Sequence, residues 1–68
     1  MERLREKLEE RNFIVLDIYG DEKGICLKFY RYDNYGEFFI QEDKVQIVIG
    51  HVHIDTIETV NKILGGEE

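Results

Sequence analysis

The chain has 68 residues, with 15 acidic and 9 basic side chains and a net charge of −6. Such a balance repels phosphate, so direct binding to DNA or RNA is not expected. The single cysteine, Cys26, cannot close an internal disulfide and points to a reducing compartment, the cytoplasm. No charged-then-apolar leader and no apolar run of about 18 residues occurs, so neither export nor a membrane span is expected.

Residues 1–68 are expected to form a single small domain. A chain this short buries only about 60% of its unfolded surface. It usually needs a disulfide, a metal, a partner or a second copy to complete its core.

The first predicted element is a helix from Met1 to Arg11, built of good helix formers. Leu4 and Leu8 sit at i,i+4, so its apolar stripe is narrow. It is expected to be a lid on a sheet or a contact with another subunit. Asn12 suits the helix C-terminus, because asparagine tolerates left-handed backbone geometry.

From Phe13 to Ile49 the chain reads as four strands with period-2 alternation. One face carries Ile14, Leu16 and Ile18, then Ile25, Leu27 and Phe29, then Phe38 and Ile40, then Val45, Ile47 and Ile49. No charge interrupts this set, which is the predicted core face. The connections are Asp21–Gly24, Asp33–Gly36 and Gln41–Lys44, with Gly24 suited to a left-handed position. Links this short make antiparallel neighbours. Setting Gly20 opposite Ile25 places Leu16 opposite Phe29 and Asp17 opposite Lys28, a cross-strand ion pair. Gly50 marks a bulge or a close approach in the last strand.

A second helix begins near Asp55, whose carboxylate is the expected N-cap, with Glu58 completing a capping box. Its buried stripe is Ile57, Val60, Ile63 and Leu64. Gly65-Gly66 ends it, and Glu67-Glu68 should fray. The predicted fold is α+β, a four-stranded antiparallel meander flanked by an N-terminal and a C-terminal helix (α-β-β-β-β-α). The double-stranded-RNA-binding domain also begins and ends with helices around an antiparallel sheet. That family has three strands and a lysine-rich start to its second helix, where this chain has Asp55-Thr56-Ile57-Glu58. The chain is therefore not assigned to it.

The opposite face of the sheet carries the main functional expectation. Phe13, Val15, Tyr30, Phe39 and Val48 are predicted to form an apolar patch edged by tyrosine and charge, a composition favoured at interface centres. This predicts a non-enzymatic protein-interaction module, a homodimer through that face, or a surface for another protein. The competing expectation is that the helices take opposite faces and leave no patch.

Other chemistry is thinner. His51 and His53 alternate, as strand-borne zinc ligands can, and Cys26 offers a thiolate, but no second cluster supplies a fourth ligand. No metal or other cofactor is expected, and the histidines remain weak candidates. The chain has no serine, so no serine nucleophile exists. A mid-strand cysteine among apolar neighbours is usually inert. No catalytic residues are assigned. Asp21, Glu22, Glu42 and Asp43 fall in two turns that a meander brings to one end. They suggest a second function, a small acidic inhibitor or nucleic-acid mimic acting on a basic protein.

Overall fold

The computed structural model describes residues 1–42 and 44–66. Its elements follow the predicted order: α1 (Glu2–Glu10), β1 (Ile14–Gly20), β2 (Ile25–Arg31), β3 (Asn34–Gln41), β4 (Lys44–His51) and α2 (Ile54–Leu64). The four strands form one antiparallel sheet in the order β1-β2-β3-β4. Among the described residues, no helix is long and apolar enough to cross a membrane.

Helix α1 ends as its sequence predicts. Asn12 is left-handed at φ 71. Its N–H donates to the Glu9 carbonyl at 3.1 Å, and the Phe13 N–H donates to the Leu8 carbonyl at 3.1 Å. This is the paired hydrogen bonding of a Schellman motif, with its accompanying apolar contact between Leu8 and Phe13. The motif turns the chain directly into β1 and commits Phe13 to the core.

Both helices lie on the same face of the sheet. Leu8 from α1 and Val60 and Ile63 from α2 join Phe13, Val15, Leu27, Phe29, Phe38 and Ile40 in one buried cluster. Phe29 is its hub, with ring centroids 5.2 Å from Phe13 and 4.9 Å from Phe38, both tilted. Such aromatic pairs add about 0.5–1.5 kcal/mol beyond their buried area. The first helix is therefore a lid, and the expectation that the helices divide the two faces is overturned.

Two β-bulges decide which side chains face the helices. In β1, Ile14 pairs with Tyr30 and Val15 with Phe29, but the next pair is Asp17 with Lys28, leaving Leu16 as the extra residue. In β4, Ile49 pairs with Glu37 and Ile47 with Phe38, leaving Val48 extra. An inserted residue reverses the alternation beyond it. The predicted pairs Gly20–Ile25 and Asp17–Lys28 are present, whereas Phe29 faces Val15 and not Leu16. Phe13 and Val15, placed by alternation on the outer face, are buried at 3% and 9% exposure. Ile14, Leu16 and Ile49, placed in the core, are exposed. Ile47 keeps the core register opposite Phe38, but on an edge strand it is half exposed.

The Asp21–Gly24 loop spans the predicted residues, whereas the other two turns are tighter than predicted. Arg31 pairs with Asn34, so Tyr32-Asp33 alone links β2 to β3, with Tyr32 at φ 56. Tyr35 and Gly36 belong to the strand. Gly36 stands opposite Gly50, and a β-carbon on Gly36 would lie 2.9 Å from the Ile49 carbonyl oxygen. The Asp21–Gly24 loop is held by its own aspartate, whose Oδ1 accepts from the Lys23 N–H at 2.8 Å and the Gly24 N–H at 3.2 Å. Gly24 is near-extended at φ 159, not left-handed. Gln41 pairs with Lys44 across the last turn, where Glu42 has φ 50.

Helix α2 starts two positions earlier than its sequence suggests. Its N-cap is His53, and no side chain of its own caps it, so the predicted capping box of Asp55 and Glu58 is not formed. The buried Asn34 does related work from the sheet: its Oδ1 accepts from the His53 N–H at 2.6 Å. Val60 and Ile63 are buried as predicted, Ile57 and Leu64 are half-buried, and Thr56 joins the buried face. The predicted fraying of Glu67-Glu68 lies outside the described residues.

Arg31 ties both helices to the sheet. Its Nε donates to the Arg11 carbonyl at 2.9 Å, and its Nη1 donates to Thr56 Oγ1 at 3.1 Å. The guanidinium also lies 5.1 Å from the Phe13 ring centroid. A cation at the C-terminal carbonyls of α1 is favourable. Arg31→Met keeps the stem but strands these acceptors. Because hydrogen bonds to charged groups contribute about 1.5–3 kcal/mol each, a loss of about 2 kcal/mol is expected in a urea melt.

Candidate functional site: the open face of the sheet

With both helices on one side, no element among the described residues covers the other face of the sheet. Register sorts its side chains into rows. Ile14, Tyr30, Tyr35 and His51 form the first. Asp17, Lys28, Glu37 and Ile49 form the second, and Tyr19, Cys26, Phe39 and Gln46 the third. The bulged Leu16 adds to the apolar content. Ile14 (62%), Ile49 (65%), Leu16 (51%), Tyr30 (49%) and Tyr35 (51%) are all substantially exposed. The Tyr30 and Tyr35 rings stand 6.3 Å apart. Between them, Leu16, Lys28, Glu37 and Ile49 lies a shallow depression of about 340 Å³.

Of the five predicted interface residues, Tyr30, Phe39 and Val48 remain accessible. Tyr30 and Val48 are exposed, and Phe39 is half-buried in the third row. Phe13 and Val15 belong to the core, for the reason of parity given above. Ile14, Leu16, Tyr35 and Ile49 take their place. The signal for them is present in the sequence: Phe13-Ile14-Val15-Leu16 and Ile47-Val48-Ile49 are unbroken apolar runs, where alternation does not say which residue faces which way.

The middle row is charged. Asp17 and Lys28 stand opposite one another as predicted, yet among the described residues no ion pair within 4.0 Å forms at Lys28. In the third row the Tyr19 phenol is held above its ordinary value of 10.0, first by a hydrogen bond with the Cys26 thiol. Charge on Cys26, desolvation and the carboxylates of Asp17 and Glu37 act in the same direction. The neutral phenol is thus favoured in the folded state. This contribution to stability is present below pH 10.0 and is lost as pH rises through the higher folded value. A phenolate absorbance titration should show one tyrosine ionising late, and Cys26→Ala should return it toward the ordinary range.

The remaining candidates are dispersed. The rings of His51 and His53 are 5.2 Å apart, edge to face. His53 Nε2 lies 3.3 Å from Asp33 Oδ2. Cys26 pairs with Tyr19 and Phe39, and His51 with Tyr35, so the charged row separates them. Among the described residues, no three histidine, cysteine or carboxylate side chains are placed to hold a metal ion. Asp21, Glu22 and Glu42 are exposed in turns at one end of the meander, with Asp21 engaged in its own loop. Asp43 lies outside the described residues.

Fold and face together define a small α+β meander with one helix-covered and one open aromatic face. No family model matches the chain, and neither a curated protein nor a solved structure matches it.

Proposed function

We propose that this chain is a non-enzymatic protein-interaction module that self-associates through the open face of its sheet. The observation that carries this reading is the joint exposure of Ile14, Leu16, Tyr30, Tyr35 and Ile49 on one uncovered face. Contiguous apolar patches of several hundred Å² on small proteins mark interaction sites. The sheet edges favour use of the face over extension of the sheet. Both edge strands, β1 and β4, carry a bulge, and bulges are a device that blunts edge-to-edge pairing. The single thiol supports a reducing, cytoplasmic setting.

Light scattering after size exclusion, over a range of concentrations, tests this. The native chain is expected to move from monomer to dimer mass as concentration rises. Leu16→Asp should stay monomeric with an unchanged helical and strand spectrum. A native chain that is monomeric throughout would overturn the reading.

A further inference from the structure

The charged row across the middle of the open face specifies how two copies would meet; this rests on the self-association just proposed. A closed pair of identical faces is related by a two-fold axis lying in the interface. For a sheet there are two simple choices. An axis across the strands, along the charged row, sets Asp17 on Asp17, Lys28 on Lys28 and Glu37 on Glu37. Every one of these contacts is repulsive. An axis parallel to the strands, running between β2 and β3, exchanges the two central strands. Lys28 and Glu37 are register partners on those strands. The second axis therefore brings Lys28 against Glu37 of the partner subunit, twice. By the same exchange Tyr30 meets the partner subunit's Tyr35, and Cys26 meets the partner subunit's Phe39.

We infer that two copies pack open face to open face about this second axis, with Lys28 and Glu37 forming two reciprocal ion pairs at its centre. One observation supports the charge pairing beyond symmetry. The Lys28 ammonium has no carboxylate within 4.0 Å among the described residues, so it is not already committed within its own sheet. By the same exchange Ile14 meets the partner subunit's His51 and Ile49 meets the partner subunit's Asp17, both at the rim on the edge strands. Aligned sheets cross at about 30°, which preserves contacts near the axis and relaxes those at the rim. Asp17, at the rim, keeps its water.

The area sets the strength. Four strands about 4.8 Å apart and seven or eight residues long at about 3.3 Å each present roughly 480 Å² per copy. About 1,000 Å² for the pair is at the low end of specific interfaces, so a concentration-dependent dimer is expected and not a permanent one.

The test uses Lys28→Glu and Glu37→Lys on the full chain, each first checked by circular dichroism. Either reversal alone opposes like charges across the interface and should weaken the dimer at least about tenfold. Mixed in equal amounts, the two variants should regain the dimer. One variant then carries carboxylates at both positions and the other carries ammonium groups at both, so each contact between unlike copies joins opposite charges. Mixing leaves the contacts inside each sheet unchanged, so recovery reports only on the interface. If the native chain is a dimer but the variants stay dimeric alone, or the mixture stays monomeric, this arrangement is overturned while self-association stands. If the native chain is monomeric, both fall. Should a reversal unfold the chain, Tyr30→Cys and Tyr35→Cys, each in a Cys26→Ala background, replace it. A short bifunctional thiol reagent should then link Tyr30→Cys to Tyr35→Cys in preference to like pairs, and a preference for like pairs overturns the arrangement.

Discussion

Gly50→Ala is expected to destabilise the fold by about 3 kcal/mol or more, through backbone strain at positive φ and overpacking between strands. Gly50 has φ 127, and a β-carbon there would collide with the Tyr35 carbonyl oxygen and the Gly36 α-carbon. The two glycines face one another so that β3 and β4 can approach closely just beyond the Val48 bulge. A domain of this size has a total stability of roughly 3–10 kcal/mol, so much of the protein should be unfolded or melt early. Gly65→Ala is the control: φ there is −81, and the nearest atom to an added β-carbon, the Asn61 carbonyl oxygen, is 3.4 Å away. Denaturant melts of both compare them directly. Equal stability of the two variants would mean that β4 does not follow this register.

Phe13→Asp should abolish folding, whereas Leu16→Asp should leave it intact. Phe13 is 3% exposed, packs on Phe29 and closes the end of α1. Truncating a buried phenylalanine costs about 3–5 kcal/mol, and a carboxylate in its place adds an unpaired buried charge. Leu16 is half exposed on the open face, where substitutions usually change stability by less than about 0.5 kcal/mol. Alternation alone would predict the reverse, a core Leu16 and a surface Phe13. Far-UV spectra and thermal melts of the pair therefore test the β1 bulge itself. A folded Phe13→Asp and an unfolded Leu16→Asp would restore the simple alternation.

Correcting the face also redistributes the candidate site. Tyr30, Phe39 and Val48 were legible from the sequence because each lies where local pairing and parity agree, or on the exposed bulge itself. Leu16 and Ile49 were not, because the bulges in β1 and β4 turn them away from the core face that alternation assigns them. Arg31 carried no local signal either. Its partners, the Arg11 carbonyl and Thr56 Oγ1, come from α1 and α2, 20 and 25 residues away in sequence.

Local patterning was enough to place the order of elements, the antiparallel meander and the left-handed Asn12 at the end of α1. These depend on short-range quantities: period-2 and i,i+4 spacing, loop lengths too short for crossovers, and backbone preferences of single residues. Which face each side chain takes in β1 and β4, and the sharing of one face by both helices, emerged only from long-range packing. A bulge costs a local hydrogen bond and is chosen by what the displaced side chains gain in packing against α1, α2 and Phe29. That gain comes from residues distant in sequence, so it leaves only an ambiguous trace in the strand that carries it.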